Sequence, residues 1–213
     1  MVSLHRRCHG ISGEHTGTRC TRAQLLGRGV PALLAGGTAL GWLAGSAAAE
    51  PLPSGDLAYA RLLVGAELLA ADFYTQAIAA AAAGPAVTKY LKRAYANEQE
   101  HYQSVAGILR GAGAVPAVAA DIDFAYPAGT FGSERSILAA AHELESTLLG
   151  AYLGAVGGLQ TASLKQGLAE IAACEAQHVS YFTAAFGGRA FALSFPPALT
   201  IDQASDAMDA FTA

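Results

Sequence analysis

The chain has 213 residues, 53% of them hydrophobic and 14% charged, with a formal net charge of -4. That length supports one domain with a sizeable core, and so sparse a basic complement excludes nucleic acid as the expected partner. Of the cysteines Cys8, Cys20 and Cys174, two lie in the first twenty residues, so no internal disulfide is expected in the processed protein and packing or metal must stabilise it.

Residues 1–49 carry Arg6, Arg7, Arg19, Arg22 and Arg28 against Glu14, then the apolar run Val30–Gly45 and the small residues Ser46-Ala47-Ala48-Ala49. That order is the order of a signal peptide, with cleavage expected before Glu50. The run is 16 residues long and interrupted by Pro31 and several glycines, short of the roughly 20 that span a bilayer. No stable membrane span is therefore expected after cleavage, and the protein is expected in the periplasm, cell envelope or extracellular space. Arg6-Arg7 suggests a twin-arginine signal, but it stands more than twenty residues ahead of the apolar run, so the general secretory route stays open. Taking residues 1–49 away leaves 8 Lys and Arg against 16 Asp and Glu, a net charge of -8.

The rest reads as a bundle over 50–189 followed by a tail over 190–213. Ser54 is the expected N-cap of a first helix over about 55–83, whose apolar face includes Leu62, Leu63, Ala66, Leu69, Ala70, Phe73 and Tyr74. Glu67 falls within that face, where an unpaired charge costs several kcal/mol. Gly84-Pro85 closes this helix and opens a second over about 86–110. From Gly111 to Gly132 the helical period stops, and some 22 residues are long for a loop in a compact domain. A full-length crossover accounts for them, with Phe124, Tyr126 and Phe131 pinning the strap to the bundle. Ser133 is expected to cap a third helix that ends at Gly157-Gly158, and a fourth runs over about 162–186. The tail is extended around Pro196-Pro197, and Thr200-Ile-Asp-Gln203 has the spacing of a capping box before a short last helix to about Phe211.

Two stretches carry the chemistry: Glu98-x-x-His101 on the second helix and Glu175-x-x-His178 on the fourth. Three residues advance a helix by roughly 300° and about 4.5 Å, so each Glu and His share a face one turn apart. One such pair is weak evidence; two, using two of the three histidines beyond residue 49, are stronger. A bundle holding two metals by carboxylates also needs a single Glu from each of the other helices. An internal repeat supplies them: Glu67 precedes Tyr74 by seven residues and Glu145 precedes Tyr152 by seven, while Glu98 follows Glu67 by 31 and Glu175 follows Glu145 by 30. The candidate metal ligands are therefore Glu67, Glu98, His101, Glu145, Glu175 and His178. Tyr74 and Tyr152 lie about 20° off the ligand direction and two turns along, suited to hydrogen bonding with the ligands or to radical relay. Glu100 and Glu143 fall off the stripe and are expected in solvent. Asp72 is expected on the surface, His142 on the surface or beside the ligands, and Cys174 in the core with an ordinary thiol.

With these residues in place, the segment from about 55 to 187 resembles the ferritin-like superfamily of exported bacterial proteins, related to rubrerythrin-type di-iron carboxylate bundles. The sequences Ala-Asn-Glu-Gln-Glu-His-Tyr and Cys-Glu-Ala-Gln-His around His101 and His178 carry the likeness. The resemblance implies an all-α, antiparallel four-helix bundle with a long crossover between helices 2 and 3, plus a short C-terminal helix. It implies that Glu98 and Glu175 bridge two ions, that Glu67 and Glu145 are terminal ligands, and that each His completes one ion's set. Four carboxylates and two imidazoles suit iron, then manganese, better than zinc. The expected function is oxidation of ferrous ion or removal of peroxide or oxygen, with a non-catalytic metal-holding or stress-protective protein as the alternative. No Cys-x-x-Cys domain of the rubredoxin kind is present to feed electrons. A homo-oligomer is compatible with this length, and the aromatics of the 121–131 strap are a third, weaker candidate as a partner-binding surface.

Overall fold

A computed structural model describes residues 51–190 and 193–211; the expected leader over 1–49 lies outside them. Four long helices form the body: α1 Ser54–Ala79, α2 Pro85–Gly111, α3 Glu134–Gly158 and α4 Ala162–Ala185. A short α5, Ile201–Met208, follows the tail, and single 3₁₀ turns occur at Ala119–Asp121 and Asp209–Phe211. This is the expected all-α four-helix bundle with its crossover between α2 and α3 and its short last helix.

Two boundaries differ from expectation. Helix α1 starts one residue early, with Pro53 at its N-cap position and no side-chain cap, so Ser54 is the first helical residue rather than the cap. It also ends at Ala79, where the all-alanine run 79–83 offers no large side chain to bury. There the chain turns through Ala81 at φ 52° before Pro85 starts α2. Ser133 does cap α3, accepting from the Ser136 amide, and the Thr200–Gln203 capping box forms before α5.

Helices α1 and α2 pack as one hairpin, α3 and α4 as another, and α1 lies against α3. Side-chain pairs Tyr152–Glu67 and Tyr74–Glu145 run in opposite chain directions along α1 and α3, which makes these helices antiparallel. The backbones of α2 and α4 stand farther apart and are bridged by side chains: Tyr90 stacks on Tyr181 with ring centroids 3.4 Å apart, and Asn97 Nδ2 lies 3.4 Å from Cys174 Sγ.

The core forms two apolar clusters along the bundle axis. One includes Leu63, Val64, Val105, Leu109, Tyr152 and Leu168; the other includes Leu69, Phe73, Tyr74, Leu91, Leu148 and Phe182. The strap is fixed as expected, since Tyr126 and Phe131 lie 5.8 and 5.5 Å from the Phe73 ring. Those aromatics are therefore turned onto the bundle, which removes the basis for reading the strap as a partner-binding surface. Asp72 is half-buried rather than on the surface, because it accepts hydrogen bonds from Tyr126 Oη at 2.9 Å and Gln76 Nε2 at 2.7 Å.

Candidate metal centre

Each helix of the body contributes to one polar layer between the two apolar clusters. Helical spacing turns Glu67 and Glu145 inward from α1 and α3, and turns Glu98 with His101 and Glu175 with His178 inward from α2 and α4. All four carboxylates are fully buried, His178 is nearly so, and the His101 side chain is 12% exposed. The six predicted residues meet there. Glu67, Glu98, His101 and Glu175 offer ligand atoms within 4.8 Å of one another, and so do Glu98, Glu145, Glu175 and His178.

The two groups share Glu98 and Glu175, and the oxygens of each carboxylate divide between them. His101 Nδ1 lies 3.1 Å from Glu98 Oε2 and 2.9 Å from Glu175 Oε1. His178 Nδ1 lies 3.0 Å from Glu98 Oε1 and 3.4 Å from Glu175 Oε2. Glu67 Oε2 stands 3.7 Å from His101 Nδ1, and Glu145 Oε1 stands 3.2 Å from His178 Nδ1. Both imidazoles thus face the layer through Nδ1.

The donor set fits divalent ions. Glu67 Oε2, Glu98 Oε1, Glu145 Oε2 and both oxygens of Glu175 are buried and accept no hydrogen bond. Several lie close to an imidazole nitrogen, but each Nδ1 carries at most one hydrogen and is paired with Glu98 Oε2 on His101 and with Glu145 Oε1 on His178, so proximity to the rings does not satisfy the others. Buried carboxylate oxygens without partners cost several kcal/mol each unless protonated or bound to a cation. Hard oxygen donors with two imidazoles suit first-row divalent ions, and the residues able to hold them are these six.

Electrostatics follow from crowding. Burial, with repulsion from Glu98 and Glu175, pushes the Glu67 carboxyl well above the usual range. Burial and the Glu175 charge raise Glu145 to about 7 against the opposing pull of His178. Burial lowers both imidazoles, but the surrounding hydrogen-bond acceptors outweigh it, so His101 and His178 are held well above the usual imidazole value.

The tyrosines exchange between repeats. Tyr74 on α1 donates to Glu145 Oε1 on α3, and Tyr152 on α3 donates to Glu67 Oε1 on α1. Burial and the adjacent carboxylates raise both phenols well above their ordinary value. They are protonated donors that orient the two unshared glutamates.

Around this layer, Glu100 and Glu143 are exposed as expected. His142 lies away from it, lining a cavity of about 840 Å³ beneath the tail with Leu149, Val179 and Pro197. Cys174 differs from expectation: it is half-buried at the seam of α2 and α4, beside both imidazoles. Burial raises its thiol, but hydrogen bonds from His101 and His178 outweigh that and the net shift is downward. A helix periodicity places position 174 beside the ligand stripe without revealing that α2 and α4 part there. Two residues were missed outright. Asn97 Nδ2 lies 3.1 Å from His178 Nε2; its place just before Glu98 was the available signal. Asp56 is 1% exposed and accepts from the Gln160 and Thr161 amides at 2.9 and 2.8 Å, capping α4 from α1. A lone Asp in a first turn gives no sign of a cap more than a hundred residues away.

A family model described as ferritin-like domain matches residues 55–188, well over half the chain, from the start of α1 to just past α4. No curated protein matches the chain.

Proposed function

This chain belongs to the ferritin-like domain family, and we propose that its polar layer holds two metal ions, iron ahead of manganese, and oxidises ferrous ion or removes peroxide or oxygen. The observation that carries this reading is the division of Glu98 and Glu175 between two ligand groups, which leaves buried oxygens that a cation would satisfy. In this reading Glu98 and Glu175 are shared between the ions, Glu67 and His101 complete one set, and Glu145 and His178 the other. A bound pair of redox-active ions supplies electron transfer to oxygen or peroxide.

The chain's own groups set the conditions. The two apolar clusters close the layer from both ends and keep bulk water out, which strengthens every charge interaction inside. Tyr152 and Tyr74 hold Glu67 and Glu145 at one oxygen each, leaving the other free for an ion. His101, the most exposed of the six, marks the side from which small reactants enter.

The test is anaerobic loading of the metal-free protein with two equivalents of ferrous ion, then admission of air. Ferric absorption should appear far faster than in ferrous solution alone and be lost in Glu98→Ala and Glu175→Ala. Tight binding with oxidation at the background rate would favour the non-catalytic, metal-holding reading. Export also belongs to this proposal, on the support of the residue order in 1–49; mass spectrometry of protein recovered from outside the cytoplasm should find a chain beginning at Glu50.

A further inference from the structure

The internal repeat places Asn97 before Glu98 and Cys174 before Glu175, so these two residues occupy equivalent positions with different chemistry. Their side chains meet at the α2–α4 seam, 3.4 Å apart, on the outer side of the imidazoles. Asn97 reaches across to the other repeat's histidine, His178, whose Nε2 is 3.1 Å from the amide. Among the described residues no amide reaches the outer edge of His101; the Cys174 thiol stands between the two rings, 3.8 Å from His178 Nε2 and beside His101. His178 is also shut in, with its side chain 3% exposed against 12% for His101.

An imidazole that gives Nδ1 to an ion carries its proton on Nε2, and an acceptor for that proton fixes the ring and makes it a better donor. The amide oxygen of Asn97 is such an acceptor once the carboxamide is turned so that Oδ1 faces the ring. The two ends of a carboxamide are nearly the same in shape, so this turn changes the hydrogen bonds and not the packing. A thiol accepts weakly. We propose that the two ion positions are unequal: the one built on His178 is retained, with Asn97 as its positioning residue, and the one built on His101 exchanges with solution. This rests on the dinuclear reading above and deepens it, since the exchanging position is where an incoming ferrous ion is taken up.

The test uses Mn²⁺ as a redox-quiet probe of the metal-free full chain, following bound ion by equilibrium dialysis and release to a chelator by stopped flow. Two ions should bind with separable affinities and leave at separable rates. His101→Ala should remove the weaker, faster step, and His178→Ala the tighter. Asn97→Leu should weaken the tighter step by about 10- to 100-fold, the usual effect of losing such a partner, and leave the weaker step in place. Asn97→Asp, which keeps an acceptor, should restore it. Cys174→Asn should tighten the weaker step. Melting of the metal-free variants reports whether each still folds. Equal affinities in the wild type, or Asn97→Leu weakening both steps alike, overturns the inequality and leaves the dinuclear reading standing. Failure of the wild type to bind any ion overturns that reading and the inequality with it.

Discussion

At the residue scale the exchange of tyrosines decides the most. Tyr74 and Tyr152 are fully buried; among the described residues Tyr152 is the one donor to Glu67 Oε1, whereas Glu145 Oε1 has both Tyr74 and, at 3.2 Å, His178 Nδ1. Removing the Tyr152 hydroxyl leaves a buried Glu67 oxygen unpaired, so Tyr152→Phe should destabilise the metal-free protein by about 1–3 kcal/mol, read as a lower denaturant midpoint, and Tyr74→Phe by less, because His178 Nδ1 still reaches Glu145 Oε1. The packing lost is slight, because the ring remains. The sign of the pH dependence comes from the same crowding. Glu145 is held up near 7 in the folded state and titrates near its ordinary value of 4.5 when unfolded. Between those values the folded state binds the extra proton, so raising pH from about 4.5 to about 7 removes stability from the metal-free protein. The raised imidazoles act in the same direction, their contribution being complete below the unfolded value of 6.5 and lost as pH climbs toward the folded values. Melting of the metal-free protein should therefore fall as pH rises from 5 to 8, and Glu145→Gln should flatten the lower part of that slope.

At the element scale the helices depend on residues remote in sequence. Asp56 holds two amide groups at the start of α4, and its carboxyl is lowered because those hydrogen bonds outweigh burial, which acts in the opposite direction. Its contribution is present above the unfolded value of 3.8 and disappears as pH falls through the lower folded one. Asp56→Ala should cost roughly 1–2 kcal/mol at neutral pH, as loss of a helix cap does, and should speed amide exchange in the first turn of α4 above all. On α3, Gly154 allows the tail to lie directly on the helix: a Cβ there would overlap the Leu199 carbonyl oxygen. Next to it, the Leu199 amide donates to Gly150 O at 2.9 Å. Gly154→Ala should displace residues 197–199, raise proteolysis of the tail and leave ion stoichiometry unchanged, because the polar layer lies elsewhere on α3.

At the scale of the whole molecule, four buried carboxylates and two imidazoles occupy one layer between two apolar clusters. Ions that bind only the folded chain stabilise it by mass action, about 2.7 kcal/mol per site at a hundredfold excess over Kd. Stripping the protein with a chelator should lower its melting temperature by several degrees, and adding back Fe²⁺ or Mn²⁺ anaerobically should restore it. An unchanged melting temperature would mean that the layer is stable by protonation alone.

The six residues of the layer were legible because a ligand set on helices leaves a local trace. Glu-x-x-His repeats at the spacing of one turn, and the doubled hairpin fixes Glu67 and Glu145 by their distance from it. Helix count, the crossover and the aromatic pins of the strap were legible for the same reason: periodicity and its interruption are properties of neighbouring residues. Asn97, Asp56, the anchoring of the strap by Asp72 and the position of Cys174 were not, because each is defined by a group on another helix. The sequence by itself determined which side chains a helix would turn toward its neighbours. Only the packing of the two hairpins decided which carboxylate each tyrosine grips, which imidazole gains an amide, and on which side the layer opens, since these depend on how far apart antiparallel helices settle once their apolar faces are buried.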